Sequence, residues 1–282
     1  MLYLTKEQIK SLVEKVGQPE ATNIIKRYYH SYQKFLHSTD LLDLYDAAYF
    51  KTLDHLVSKF TTEKGVVLSE YNRPAYSYLL KKMNQSDTAL DIGCGSGDFV
   101  IALAACGYSK VVGIDFAKDA IAEANQKREI SKLDNCEFAC KDVSDFDSDH
   151  KFKFITLNDV TEHLSDTELR QLFNKVHKVI DNDGELLIHT PNGIALCHDT
   201  HKNWLQEFRK FLKRLRGWKG FEWTVDQLHY YQEHINVKGY KNLKNILNEC
   251  GFTTRVIYDE PHKIKPLSYL FSSNMLVIAK KK

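Results

Sequence analysis

From Thr88 onward, short apolar runs alternate with amphipathic segments, and this pattern predicts a parallel α/β sheet. The predicted strands are Thr88–Ile92, Lys110–Ile114, Cys136–Ala139, Phe154–Leu157, Glu185–Thr190, Thr253–Asp259 and Asn274–Ala279. The predicted helices between them are Asp98–Cys106, Lys118–Lys127, Asp166–Ile180 and Val237–Cys250, the last followed by Gly251 as a cap. Because such crossovers are almost always right-handed, we expect a doubly wound, Rossmann-like α/β fold.

The N-terminal part of the chain follows a helical pattern. Apolar residues recur at three- and four-residue spacing from Thr5 to about Phe60, and Pro19 is well placed to open a second helix. We therefore expect residues 1–70 to form a helical extension or cap beside a main domain of residues 71–282.

Between Asn192 and Glu233 the alternation stops, although connections in α/β folds usually span about 2–6 residues. This length predicts a helical lid insertion over residues 193–233. The pattern of its middle part, residues 208–219, predicts a basic amphipathic helix. Two interpretations stay open, a solvated helix face packed on the core or an electrostatic funnel for a phosphorylated acceptor or another anion, with RNA or a membrane as lesser alternatives.

Composition narrows the possible partners. The formal net charge is only +2, from 39 Lys and Arg against 37 Asp and Glu, so no overall attraction to nucleic acid or to an anionic membrane is expected. No stretch approaches the roughly 20 apolar residues of a membrane span. The six cysteines form no CxxC pair and are expected to be reduced. These features predict a cytoplasmic protein with a small-molecule partner.

The turn Asp91–Gly97 follows a predicted strand and precedes a predicted helix. Gly93, Gly95 and Gly97 allow a tight turn and a close approach of a ligand to the backbone. Dinucleotide-binding turns are spaced G-x-G-x-x-G, whereas here the third glycine comes one residue early. The Asp91 carboxylate would repel a pyrophosphate and suits the ammonium of an amino-acid tail.

Two further acids lie at the carboxyl ends of the next predicted strands. Asp115 ends the second strand, where a carboxylate can accept from both hydroxyls of a ribose. Asp142 follows the third strand and can accept from an adenine amine. Together with Asp91 these acids line the crevice where open α/β sheets bind ligands.

With these residues the chain resembles the class I S-adenosylmethionine (SAM)-dependent methyltransferases over about Tyr71–Lys280, through the motif Leu90–Phe99. The resemblance implies a seven-stranded sheet whose last strand is antiparallel. It also implies that SAM is held along the crevice by Asp91, Gly93, Cys94, Gly95, Gly97, Asp115, Phe116, Asp142, Val143 and Asn158.

The segment Asn158–Leu164 bears on what accepts the methyl group. Methyltransferases that act on adenine or amide nitrogen typically carry Asn-Pro-Pro-Tyr here, whereas this chain has titratable groups and no proline. An oxygen acceptor is therefore favoured, with its proton taken by a general base or its pKa lowered by a divalent ion.

Asp159, Glu162 and His163 are spaced i, i+3 and i+4, which brings three side chains to one side of a helical turn. The segment resembles the Glu-x-x-Glu-His metal-binding segment of ubiquinone-biosynthesis O-methyltransferases and of small-RNA 2′-O-methyltransferases, in which a later histidine completes the site. His234 is the best counterpart, and Asp159 is one methylene shorter than the family's glutamate. The resemblance implies a divalent metal ion on Asp159, Glu162, His163 and His234, and Glu162, His163 and His234 are the candidate catalytic groups.

Plainer interpretations of these residues remain open. Glu162 and His163 could cap the following helix, and His234 could be a core histidine. His189 is expected to face the crevice at the end of the fifth strand, and His229 and Tyr230 are weaker candidates.

The sequence thus predicts an O-methyltransferase for a small hydroxylated acceptor, such as a sugar, a nucleotide-linked sugar or a glycan precursor. The alternatives are an RNA 2′-O-methyltransferase and a cofactor-binding protein without turnover.

Overall fold

A computed structural model describes residues 4–32, 58–143, 146–196, 234–259 and 272–282, together with Phe211, Val225, Leu228 and Gln232. The basic segment 208–219 apart from Phe211, and His229 and Tyr230, lie outside these residues, as does most of the predicted lid. Among the described residues, no helix is both long and apolar enough to cross a membrane.

The core of the fold is a seven-stranded sheet, as the sequence predicts. Its strands, numbered after a short N-terminal hairpin (β1 and β2), are β3 (Thr88–Ile92), β4 (Lys110–Asp115), β5 (Cys136–Cys140), β6 (Phe152–Asn158), β7 (Ile180–Pro191), β8 (Phe252–Tyr258) and β9 (Asn274–Lys281). The order across the sheet is β5-β4-β3-β6-β7-β9-β8. Strands β3 to β7 pair in parallel, and β9 is antiparallel to both neighbours. The doubly wound, Rossmann-like class with an antiparallel last strand is confirmed.

The structure describes α-helices on both faces of this sheet and, before it in the chain, a pair of helices that pack on each other. They are α1 (Lys6–Val16), α2 (Gln18–Tyr32), α3 (Arg73–Leu80), α4 (Asp98–Ala105), α5 (Lys118–Ser131), α6 (Asp166–Val179), α7 (Gly193–Leu196) and α8 (Tyr240–Glu249). Helix α6 begins where Ser165 and Glu168 form a capping box, so the cap is not made by Glu162 or His163. Its apolar stripe packs into the core on one face of the sheet, and α3 and α4 pack on the other.

The N-terminal extension differs in part from the expectation. Helix α1 begins with a capping box of Thr5 and Gln8, and α2 follows Gly17. The helical pattern was expected to reach Phe60, but Phe60 lies in strand β1 (Lys59–Thr61), which pairs with β2 (Val67–Ser69). The apolar residues of this hairpin pack on α3 and α4 instead of continuing a helical stripe.

Strand register brings the candidate site together at the carboxyl edge of the sheet. Asp91 on β3 lies beside Thr156 on β6, and Asn158 on β6 lies beside His189 on β7. The turns after β3 and β6 therefore open side by side, as expected for ligand-binding loops of an open α/β sheet.

Candidate active site

The glycine turn has the backbone conformation that its residues predict. Gly93, Gly95 and Gly97 have φ values of +75°, +51° and +81°, which residues other than glycine rarely adopt. The amides of Gly93 and Cys94 both donate to the carbonyl oxygen of Ile114, over 2.8 and 3.0 Å. This pair of bonds ties the turn to β4, so the two strand ends form one rigid edge.

Packing also demands glycine in the turn. A Cβ atom on Gly93 would lie 2.5 Å from Cγ2 of Val160, and one on Gly97 would lie 2.6 Å from the Phe138 ring. Gly93 is therefore in direct contact with the turn that follows β6.

Asp91 is buried under this turn and accepts hydrogen bonds from β6. Its Oδ1 atom accepts from Oγ1 of Thr156 over 2.5 Å and from Nδ2 of Asn158 over 3.3 Å. Burial raises the pKa of Asp91 to about 7, partly offset by these two bonds. The Oδ1 atom of Asn158 is buried, and no hydrogen bond reaches it. A buried acidic group and an unsatisfied acceptor thus lie side by side, which favours a ligand that carries donors and positive charge.

Asp115 holds the turn through both of its carboxylate oxygens. Its Oδ2 accepts from the amide of Gly95 over 2.8 Å, and its Oδ1 accepts from the amide of Ala117 over 2.9 Å. Burial raises the pKa of Asp115, and the backbone amides counter this. Each carboxylate oxygen has a second lone pair, so both remain able to accept from a ligand hydroxyl.

The remaining predicted cofactor residues line the same edge. Phe116, directly after Asp115, is 36% exposed. Asp142 and Val143 are half-buried after β5, and Val143 packs against the core. The thiol of Cys94 is buried, and burial raises its pKa well above the usual range, so it is neutral.

After β6 the chain makes a tight turn that carries the candidate catalytic groups. Asp159 has a φ of +53°, and a 3-10 turn, Thr161–His163, follows. Glu162 on this turn is only 1% exposed. Its Oε2 accepts from Oγ1 of Thr190 over 3.0 Å, whereas its buried Oε1 has no hydrogen-bond partner. Burial first, and the nearby Asp159 carboxylate second, raise the pKa of Glu162 to about 8.

The structure brings His163 and His234 to Glu162. One potential ligand atom from each of the three residues lies within 4.8 Å of the others. The two imidazole rings are 5.1 Å apart between centroids. His234 reaches this position because the amide of Asn236 donates to the carbonyl oxygen of Glu162 over 2.8 Å. Residues separated by more than 70 positions thus form one carboxyl-imidazole cluster.

Asp159 lies outside this cluster, although the sequence spacing placed it with Glu162 and His163. Its Oδ1 lies 2.9 Å from Nδ1 of His189, whose Nε2 lies 3.1 Å from Oδ2 of Asp259. Asp159 has a left-handed φ of +53°, so this turn departs from the regular helix in which the i, i+3 and i+4 side chains point to one side. His189 was expected to face the crevice, but its ring is completely buried.

Sequence reasoning missed several residues of the site. Thr156 could have been found, because it precedes Asn158 by two residues on one strand and therefore shares its face. Thr190 and Asp259 gave no such signal. The ring of Tyr71 stacks on His189 with centroids 6.3 Å apart, and the spacing along the chain does not indicate this contact.

Comparisons with known proteins show the family to which this fold belongs. Residues 83–251, more than half of the chain, match the family model described as a methyltransferase domain. Demethylmenaquinone methyltransferase of Oceanobacillus iheyensis is 24% identical over 214 residues, which is 71% of this chain and 84% of that protein. Sphingolipid C9-methyltransferase 1 of Gibberella zeae is 28% identical over 141 residues, 47% of this chain and 26% of that protein.

Solved structures share the fold. Magnesium protoporphyrin IX methyltransferase (ChlM) from Synechocystis PCC 6803, with bound SAH, superposes with a TM-score of 0.57 at 17% identity, covering 87% of this chain and 99% of that one. The PH0226 protein from Pyrococcus horikoshii OT3 gives a TM-score of 0.52 at 20% identity, covering 75% and 89%. The chain belongs to the methyltransferase domain family. It is a SAM-dependent methyltransferase.

Proposed function

We propose that this enzyme methylates an oxygen atom of a small hydroxylated acceptor, and that the acceptor is a sugar, a nucleotide-linked sugar or a glycan precursor. The observation that carries the proposal is the buried Glu162 carboxyl with an unpartnered oxygen, close to the rings of His163 and His234. A hydroxyl acceptor has a proton to lose, and such a cluster can take it.

The cofactor half of the crevice fits SAM. We assign the ammonium of its methionine portion to Asp91 and to the unsatisfied Oδ1 of Asn158. The glycine turn with Cys94 would wrap this portion, Asp115 would hold the ribose, and the adenine would lie between Phe116 and the pair Asp142 and Val143. When bound, SAM supplies a methyl group activated by its sulfonium, so the protein mainly has to position the acceptor and receive its proton.

The part of the crevice proposed to bind the acceptor is formed by the cluster of Glu162, His163 and His234. A pKa of about 8 allows Glu162 to exchange protons near neutral pH, which suits a group that works with an imidazole base. In this proposal His163 or His234 receives the hydroxyl proton, and the adjacent Glu162, in the molecules where it is ionised, stabilises the imidazolium that results. Thr190 holds Glu162 in place through its other oxygen.

The same three side chains could hold a divalent metal ion. One carboxylate and two imidazoles form a suitable donor set, and the unpartnered Oε1 of Glu162 is available for it. A metal would lower the pKa of an acceptor hydroxyl. Asp159, which the sequence resemblance included, is engaged with His189 and would not be a ligand in this arrangement.

The domain division and the lid remain predictions. A phosphate on the acceptor would be held by the basic segment 208–219, most of which lies outside the described residues. We propose that residues 193–233 cover the acceptor and that residues 1–70 form the cap beside them.

The test compares Glu162→Gln, His163→Ala and His234→Ala with the surface control His150→Ala, using SAM carrying a ¹³C-methyl group and a panel of sugars, nucleotide-linked sugars and a quinol. We expect the three cluster variants to bind SAM within about twofold of wild type by calorimetry but to lose at least about 100-fold in transfer rate. The product carbon should show the shift of a methyl ether.

A C-methyl or N-methyl product would overturn the proposal of an oxygen acceptor, and methylation of the quinol alone would overturn the sugar assignment. Full activity after treatment with EDTA would exclude the metal form and leave the base form standing.

A further inference from the structure

Gln232 links the N-terminal helices to the candidate active site. Its side-chain amide makes two hydrogen bonds with the main chain of Leu4: Oε1 accepts from the Leu4 amide over 2.8 Å, and Nε2 donates to the Leu4 carbonyl oxygen over 3.0 Å. Gln232 is 1% exposed. Because both polar ends of a buried amide are satisfied by one partner residue, this contact has a defined geometry.

An apolar cluster seals the same junction. Ile9 of α1, Ile25 of α2 and Leu228 are completely buried against one another, with Leu12 and Val225 packed on them. Leu228 precedes Gln232 by four residues. Leu228 is therefore fixed to the helix pair by apolar packing, and Gln232 is fixed by its hydrogen bonds to Leu4.

His234 follows two residues after Gln232 and two before Asn236. Asn236 binds the turn after β6 through its amide to Glu162 O and through Nδ2 to Leu164 O, over 2.8 and 2.7 Å. The chain that carries His234 is thus held at both sides, by the N-terminal helices before it and by the catalytic turn after it. Such bracketing restricts where the imidazole can lie.

We infer that Gln232 is a positioning residue which, by binding the main chain of Leu4, uses the helix pair α1–α2 to hold His234 against His163 and Glu162. The N-terminal extension is then part of the active-site scaffold. This inference rests on the proposed role of the Glu162, His163 and His234 cluster.

The test uses the full-length protein with Gln232→Ala and, as a second variant that keeps the side-chain length, Gln232→Met. The control is Gln171→Ala, because Gln171 is an exposed residue of α6, outside the N-terminal extension. The first readout is the nuclear Overhauser effect between the rings of His163 and His234 in histidine-labelled protein, whose centroids lie 5.1 Å apart. The second readout is kcat beside the Kd for SAM.

We expect both Gln232 variants to weaken the ring-to-ring signal and to lower kcat by about 10- to 100-fold, the loss typical of a small misplacement of a catalytic group. The Kd for SAM should stay within about twofold, and Gln171→Ala should match wild type in both readouts. An unchanged ring-to-ring signal in the Gln232 variants would overturn the inference, whatever happens to kcat.

The failure of the proposed function would look different. If the ring-to-ring signal weakens while kcat is unchanged, Gln232 does position His234, but His234 takes no part in transfer. Combining Gln232→Ala with His234→Asn adds a check: the double variant should be no slower than His234→Asn alone if Gln232 acts through His234.

Discussion

Asp159 and His189 bind each other twice: the Asp159 amide donates to the His189 carbonyl oxygen over 2.9 Å, and Nδ1 of the His189 ring lies 2.9 Å from the Asp159 carboxylate. Since Nε2 meets the Asp259 carboxylate, the buried ring has a carboxylate at each nitrogen. Desolvation would lower the pKa of His189, but the two aspartates outweigh it and raise the pKa to about 10. The imidazolium therefore joins the ends of β6, β7 and β8.

Replacing His189 with Leu should destabilise the fold. It would leave two carboxylates close together without their shared cation, and removal of one partner of a buried ion pair typically costs about 3 kcal/mol or more. Asp259→Asn should cost less, because it keeps an acceptor for the ring and the Asp159 pair remains. Urea denaturation measures both free energies of unfolding. Equal losses for the two variants would contradict the central role of the ring.

The same triad predicts a loss of stability at alkaline pH. A histidine whose pKa rises from 6.5 to about 10 on folding contributes stability that is complete below about pH 6.5 and disappears as pH rises through 10. The free energy of unfolding should therefore fall between these values. In His189→Leu this component of the slope should be absent. Parallel pH profiles for the two proteins would show that the ring is not protonated in the folded state.

SAM binding should depend on pH through Asp91. Its pKa of about 7 means that the carboxylate proposed to bind the ammonium group of SAM is lost as pH falls below 7. We expect affinity at pH 5.5 to be about tenfold or more below that at pH 7.5, since one pH unit below a pKa corresponds to about tenfold. Asp91→Asn should bind weakly at both values, with a flatter profile. A flat profile for wild type by calorimetry would contradict the ammonium assignment.

Asp115→Ala should weaken SAM binding by more than about tenfold. It removes the charged acceptor proposed for the ribose, and it frees the amides of Gly95 and Ala117. Asp115→Asn keeps an oxygen for one of these amides, so its loss should be smaller. The control is Asp134→Ala, an exposed acid before the amino end of β5. Unchanged affinity in Asp115→Ala by calorimetry would refute the cofactor assignment.

Much of the fold was predictable because the strands of a buried parallel sheet are nearly continuous apolar runs. Strand β3 has the predicted limits, and β4 differs by one residue. The acids at strand ends were predictable too, since parallel strands end at one edge. The two carboxylates around His189 were not predictable. The contact of Asp159 depends on one residue with a left-handed backbone, and the contact of Asp259 depends on the strand order β7-β9-β8 at the edge of the sheet. Spacing along the chain contains neither fact.

The contact between Gly93 and Val160 gives a last prediction. Gly93→Ala would introduce a side chain at a φ of +75° and 2.5 Å from Val160 Cγ2. Gly65→Ala is the matched control, since its φ is +80° and nothing lies within 4 Å of the added atom. The control should lose about 1 kcal/mol of unfolding free energy from backbone strain alone, and Gly93→Ala about 3 kcal/mol.

Val160→Ala should recover part of the Gly93→Ala loss, with a coupling energy of about 1 kcal/mol or more in a double-mutant cycle, whereas it should not couple to Gly65→Ala. Urea denaturation of the three single variants and the two double variants measures this. Additive losses at Gly93 and Val160 would show that the two turns do not touch. Coupling would mean that the turn proposed to hold SAM and the turn that carries Glu162 and His163 move as one unit. A change in either turn would then displace both the proposed SAM site and the proposed site of proton transfer.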